Sequence, residues 1–398
     1  MLMSGEERRP YSVPQCRDID FLHPAESQVC YRTPYHCVAA ARVTRTASKI
    51  LMFRSMHKRG GCSFLAAVLL TGVVSSGNEP PRKLLAIRVG EKEGYIDRSG
   101  RVVIAPQYGL VWQFTEGLAS VSLLSSRPGY IDKAGFIDER GKVVIPIQFQ
   151  YARAFAQGRA EVELSDEWGF IDRKGRVAVK PRYDNVHRFN EGLAAVKRGD
   201  KWGYVNHRGR EVISPQYDLT WGFGEGLAGV WRGANCGYIN RENNVVIGFR
   251  FNECRGFHHG LSPVRVGHKW GYVNRKGEFV IPLRYENAWG HSEGLAPAKL
   301  NGKWGYINRR GNFVIPPQYD DSAYQATVTA FSEGLAGVIL DGRFGYINRA
   351  GRFVIAPSFM KGFPFRNGIA SVCDSTRCGY IDTNGNTIWP KGGLRSQR

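Results

Sequence analysis

Residues 193–217 read Leu193-Ala-Ala-Val-Lys-Arg-Gly-Asp-Lys-Trp-Gly-Tyr-Val-Asn-His-Arg-Gly-Arg-Glu-Val-Ile-Ser-Pro-Gln-Tyr217. Three short runs rich in Val, Ile, Tyr and Trp are cut by a Gly199-Asp200 turn and an Arg208-Gly209 turn, which predicts three antiparallel strands joined by two hairpins. Nothing in the stretch is long enough for an amphipathic helix of ten residues. Strand alternation sends Trp202 and Tyr204 to one face and Val205 to the other, so both faces are apolar. Each must be covered, and neighbouring copies of the same unit can do that. Pro215 has no N–H and belongs on an edge strand or at a bulge.

Outward from this stretch, the pattern repeats. The glycine of Trp-Gly-Tyr recurs as Gly94, Gly135, Gly169, Gly203, Gly237, Gly271, Gly305, Gly345 and Gly379. The usual step is 34 residues, as from Gly169 to Gly203. Fourteen residues beyond each of the first eight stands an aromatic, from Tyr108 to Phe359, and a turn glycine stands eleven residues before seven of the nine repeat glycines, from Gly158 to Gly368. Two longer steps are insertions, one a duplication of Gly129-Tyr-Ile-Asp as Gly135-Phe-Ile-Asp, the other starting at Asp320-Asp321. Such spacing within one chain marks structural repeats. The fold class is all-β: about nine three-stranded antiparallel meanders over residues 84–390, forming a curved, superhelical, solenoid-like array or a closed propeller-like ring. Nine units exceed the common four to eight blades, and no sheet is divided between distant parts of the chain, so the open array is favoured.

The composition agrees with a folded chain. Of 398 residues, 42% are hydrophobic and 23% charged, average for a globular protein, which excludes disorder. The 48 glycines serve turns, since they do not fall at every third place as in collagen. The formal charge is +20, and only ten of the 55 Lys and Arg residues precede residue 77, so the excess belongs to the repeats.

Residues 1–55 carry no apolar period and are read as a non-structured or mis-annotated extension, their Cys16, Cys30 and Cys37 lacking the spacing of a zinc site. Residues 56–76 have a cationic start, an apolar run from Cys62 to Val74 and a small-residue exit. Those are the parts of a signal peptide, with translation beginning at Met52 or Met56. The run is too short for a stable transmembrane span. Export follows, to the periplasm, the cell surface or the medium. Four cysteines remain in the repeats, an even number suited to an oxidising compartment. Cys373 and Cys378 flank a hairpin turn and are expected to pair; Cys236 with Cys254 follows by elimination. Residues 391–398 are expected to be a disordered tail.

Lys201-Trp-Gly-Tyr-Val-Asn206, Lys269-Trp-Gly-Tyr-Val-Asn274 and Lys303-Trp-Gly-Tyr-Ile-Asn308 resemble the WG or KWG repeats of bacterial proteins. The resemblance covers about 300 residues. It implies an exported repeat protein with a binding or scaffolding role and no shared enzymatic activity. The Trp is replaced by Glu93, Ala134, Cys236, Phe344 and Cys378, which argues against a common ligand-binding role for it.

No catalytic motif stands out. Cys254, His258 and His259 are read as a disulfide cysteine beside two exposed histidines, so neither a metal nor a cofactor is expected. Glu116, Glu191, Glu225, Glu293 and Glu333 recur equivalently, whereas acid–base pairs need unlike environments; they are read as turn-capping groups. Trp168, Trp202, Trp270 and Trp304 are read as core.

The best surface candidate is a basic rim at the tips of the second hairpins: Arg98, Arg140, Arg173, Lys174, Arg208, Arg241, Arg275, Lys276, Arg309, Arg310 and Arg349, with Asn244 standing in for a glycine beside Arg241. Aligned by stacking, these cations would suit a protein or an anionic polymer of the cell envelope, export favouring the latter over nucleic acid. Two rival readings are a purely structural array and a glycan-acting enzyme built on Asp320 and Asp321.

Overall fold

A computed structural model describes residues 83–124, 131–321, 328–390, 392 and 394. The expectations for residues 1–55 and 56–76, and for most of the tail, lie outside the described residues.

Nine antiparallel sheets follow one another along the chain. They are numbered here as blades 1–9 by their second long strands: Lys92–Ile96, Ile131–Asp138, Glu167–Asp172, Lys201–Asn206, Asn235–Ile239, Lys269–Asn274, Lys303–Ile307, Arg343–Asn348 and Cys378–Asp382. Blade 4 shows the plan. Leu193–Arg198 pairs with Lys201–Asn206, which pairs with Glu211–Tyr217, and the two-residue strand Asn185–Val186 adds to the free side of the first. This short strand was not legible as a strand, having only two residues; it is present in six sheets. Among the described residues there is no α-helix.

The third long strand bulges around the repeat glycine. Trp202 faces Tyr217 and Tyr204 faces Ile213, so Gly203 alone opposes Ser214, Pro215 and Gln216. Proline therefore sits where its missing N–H is harmless, at a bulge on an edge strand. The first positions of this strand are exposed in nearly every sheet, as at Val144, Val212 and Val280, which marks it as the outer edge and the short strand as the inner one.

Successive blades share one interface chemistry. The tyrosine after the repeat glycine packs edge-to-face with the aromatic of the next blade's Phe-x-Glu-Gly turn, as Tyr204 with Phe223 and Tyr238 with Phe257, with centroids 4.8 and 4.9 Å apart. Its hydroxyl donates to a backbone carbonyl of that blade: Tyr204 to Trp221, Tyr272 to Trp289, Tyr346 to Phe363 at 2.6–2.8 Å.

A related tyrosine contact joins the last blade to the first, its acceptor lying in the first long strand. Tyr380 donates to the Ala86 carbonyl (2.7 Å), Arg98 to the Asn367 carbonyl (2.7 Å), and Ile87, Ile96, Ile369 and Tyr380 form one buried cluster. The array is thus a closed nine-bladed propeller, not the open superhelix favoured by blade number. Closure needs no shared sheet because the seam is built from the residue types that make the other interfaces.

Candidate binding surface

Strand direction alternates, so the tips between second and third long strands lie on one face of the ring, together with the Glu-Gly turns that precede the first strands. Each tip begins with Asp or Asn. Its carboxylate or amide oxygen accepts the N–H groups two and four residues on, as Asn206 does from Arg208 and Arg210, and Asp172 from Lys174 and Arg176. Such Asx turns, followed by a glycine of positive φ, fix the direction of the two intervening side chains. In blade 5 the residue in the glycine's place is Asn243, with φ 66°, and not Asn244. Asparagine tolerates that conformation.

All eleven rim residues of the sequence reading are exposed, Arg98, Arg140, Arg173, Lys174, Arg208, Arg241, Arg275, Lys276, Arg309, Arg310 and Arg349 alike. They divide into two kinds. At the first tip position, arginine reaches back over the preceding blade. Arg173 donates to the Glu116 carbonyl (2.8 Å), Arg309 to the His259 carbonyl (2.6 Å) and Arg241 to the Glu191 carboxylate (3.2 Å). A Cβ built on Gly226 would lie 3.4 Å from Arg275 Nη2, and one on Gly294 3.6 Å from Arg349 Nη2. These cations brace blade against blade. At the second position, Arg140, Lys174, Arg208, Lys276 and Arg310 bond to described residues through their backbone N–H groups alone, and their side chains are exposed.

The recurring glutamates are turn caps. The Glu-Gly pair has positive φ at both residues, for example 48° at Glu191 and 82° at Gly192, a hairpin geometry that asparagine, aspartate and glycine usually fill. Here each carboxylate compensates by accepting the glycine N–H of the next blade's turn: Glu191 from Gly226 (3.0 Å), Glu225 from Gly260 (2.8 Å), Glu293 from Gly334 (3.0 Å). Glu116 and Glu333 do the same to Gly158 and Gly368.

The tryptophans are core: Trp168, Trp202, Trp270 and Trp304 are at most 8% exposed. Cys236 and Cys378 take the tryptophan place as halves of two disulfides, Cys236–Cys254 joining blades 5 and 6 and Cys373–Cys378 closing the first hairpin of blade 9. Both expected pairings are present. Of the two histidines expected to be exposed, only His259 is. His258 is half-buried against Gly290, and burial pushes its imidazole down to about 4. Among the described residues no group of three or more His, Cys, Asp or Glu side chains is placed to hold a metal ion.

Asp320 and Asp321 are tied to the first two long strands of blade 7 and to the turn of blade 8. Asp320 pairs with Lys303 and accepts the Asp341 N–H (2.9 Å), and Asp321 pairs with Lys299 and takes the Trp304 indole N–H. The hydrogen bond from Lys303 holds the Asp320 carboxyl below its ordinary range.

Sequence reasoning missed a row at the inner edge, directly after the short strands. Arg153 lies over Trp168 with its guanidinium 4.2 Å from the ring, His187 is 4.5 Å from Trp202, and Arg255 lies between Trp270 and Trp289 at 4.5 and 3.5 Å. Tryptophan, arginine and histidine alternate there, so no one motif announces the row.

Geometry and repeat together define a nine-bladed β-propeller made of tandem units with a Trp-Gly core motif. A family model described as "WG containing repeat" matches residues 94–123, 135–167, 168–202, 202–230, 237–270, 270–304, 304–343 and 344–374, more than half of the chain. The chain belongs to that WG-repeat family. No curated protein sequence matches it. Among solved structures it is similar to one described as the eukaryotic initiation factor, with 12% identity over 77% of this chain and 95% of that one and a TM-score of 0.51, a likeness of fold alone. Apo AztD from Citrobacter koseri (13% identity, 68% and 93% covered, TM-score 0.40) and a streptogramin B lyase (12%, 57% and 91%, 0.35) are also similar. A repeat propeller of this kind fits a binding or scaffolding role. Among the described residues no helix is long and apolar enough to cross a membrane.

Proposed function

We propose that this chain is an exported, non-enzymatic binding propeller whose ligand is an anionic polymer of the cell envelope, held on the ring of hairpin tips. One observation carries the reading. At the second tip position, Arg140, Lys174, Arg208, Lys276 and Arg310 project from the same face with no ion pair to a described residue. Some cations elsewhere, such as Lys201 with Asp218 and Arg265 with Glu253, are paired. Unpaired charges repeated at fixed spacing attract a polymer with repeated anions, and the attraction weakens as salt rises.

Two disulfides support export, because they persist in oxidising compartments. The non-enzymatic reading is supported by the ion-paired state of Asp320, which is kept from serving as a general acid near neutral pH. The braced arginines favour the second reading, a purely structural ring, since Arg98, Arg173 and Arg309 already have partners in neighbouring blades.

The test is capture from envelope extract by the native chain and by a variant carrying Lys174→Glu, Arg208→Glu, Lys276→Glu and Arg310→Glu, at low and moderate salt. Retention of an anionic polymer by the native chain alone, falling steeply with salt, is the expected result. Equal capture by both proteins sinks the rim as the site, and capture of a protein alone replaces the polymer with a protein partner. For export, N-terminal sequencing of the mature chain should find a start near residue 77; a mature protein beginning at Met1 removes that part.

A further inference from the structure

We infer that the rim corner of blades 6–8 docks on an anionic lipid surface. This rests on the reading of the tips as an anion-binding face and names the source of the anions.

Three consecutive second hairpins carry the same amphipathic string. After the tip glycine comes one polar residue and then Phe279-Val280, Phe313-Val314 or Phe353-Val354. Elsewhere the corresponding pairs are Val-Val, Val-Ala, Glu-Val or Thr-Ile, so phenylalanine is confined to this arc. Phe279 is 45% exposed, Val314 50% and Phe353 38%. The rings are not loose. Phe279, Phe313 and Phe353 stand edge-on to Phe251, Tyr285 and Tyr319 of the preceding blades at 5.9–6.3 Å, so little order remains to be gained on docking. On the same hairpins Lys276, Arg310 and Arg352 are exposed, and the one acid among the tips, Glu278, is held by Asn274.

Strands rise about 3.3 Å per residue, so the apolar pairs lie roughly 3–10 Å from the tip cations, on the outer side of the same corner. A disk resting on that corner presents both sets at once. Long basic side chains reach phosphate while their stems lie along apolar surface, and phenylalanine seats at the boundary between headgroups and acyl chains. A hydrated polymer would use the cations and leave the phenylalanines in water. A strand from another chain is opposed by proline: Pro282, Pro316 and Pro357 stand in these outer edge strands and withhold N–H groups from any added partner.

The test compares co-sedimentation of the full chain with vesicles of phosphatidylglycerol and phosphatidylcholine, with vesicles of phosphatidylcholine alone, and with polyphosphate as a soluble polyanion measured separately. Two variants are used, Phe279→Ser with Phe353→Ser, and Lys276→Glu with Arg310→Glu, each checked by circular dichroism and melting. The expected result is binding to the anionic vesicles and to polyphosphate but not to phosphatidylcholine alone, with vesicle binding lost roughly tenfold or more in the phenylalanine variant and its polyphosphate binding unchanged. The charge variant should lose both. If the first variant melts early, Val314→Ser with Phe353→Ser replaces it.

Vesicle binding that ignores the phenylalanines overturns the inference and leaves the polymer reading standing. Polyphosphate binding without vesicle binding does the same. Binding to neither overturns both readings, and concentration-dependent self-association abolished by the phenylalanine variant gives the apolar arc to a second copy instead.

Discussion

The repeat glycine is fixed by contact and not by backbone angle. It lies in mid-strand with no positive φ, but the third strand bulges directly over it. A Cβ at Gly203 would lie 2.3 Å from the Ile213 carbonyl oxygen and 2.6 Å from Pro215 N, both backbone atoms that cannot swing aside. Gly203→Ala should therefore cost about 1–3 kcal/mol, the range of overpacking a tight site. Gly248, also in a strand, has nothing within 4 Å of a built Cβ, and Gly248→Ala should stay within about 0.5 kcal/mol of the native protein. Urea denaturation midpoints separate the two. The glycine was legible because every unit needs it. The tryptophan was half legible, because its place can be filled in several ways: Glu93 takes the Val111 N–H and pairs with Arg88, Cys236 and Cys378 make disulfides, and Phe344 occupies room left by Gly337 and Gly362. Variation at that site records different local solutions, which a single sequence does not display.

Between elements, the interface of blades 6 and 7 departs from the rest in one respect. His291 stands where the other Phe-x-Glu-Gly turns have phenylalanine, packed against Tyr272 with centroids 5.1 Å apart. His258 lies close by, with His259, Glu225 and Arg309 around the pair. Burial, the largest cause, pushes both imidazoles down to about 4 from an ordinary 6.5, and Arg309 adds to the effect on His291. Their folded pKa lies below the unfolded one, so the unfolded chain binds more protons in that window. The stability is present above about 6.5 and is lost as pH falls towards 4. His291→Phe restores the repeat residue. It should leave stability at pH 7 equal or higher and make the decline between pH 6.5 and 4 shallower, as read from denaturation midpoints at pH 7 and 5. An unaltered decline would show that His291 takes up its proton in the folded protein as readily as in the unfolded chain. At this scale the three long strands were legible from their β-branched and aromatic runs. The short inner strands were not, because two residues carry no period and their pairing depends on the neighbouring long strand.

For the whole molecule, ring closure is the property that local pattern could not decide. Unit-to-unit contacts are alike in an open superhelix and in a ring, and only the accumulated rotation distinguishes them. The test lies at equivalent positions on two interfaces. Ile239 packs against blade 4 and Ile96 against blade 9, both wholly buried. In an open array Ile96 would face water and tolerate a charge. In the closed ring, Ile96→Glu buries an unpaired carboxylate in the seam and should cost about 3–5 kcal/mol. Ile239→Glu should cost a similar amount, since the seam uses the same chemistry as the interior joints. Breaking one joint of a ring leaves a chain of blades still stacked in order, so Ile96→Glu should keep its β-sheet circular dichroism while its radius of gyration in solution scattering rises. A variant as compact and as stable as the native protein would mean that blades 9 and 1 are not held together in solution. The basic tips would then lie along a spiral and not on one face, and the corner contact proposed for blades 6–8 would have to be made by those blades alone.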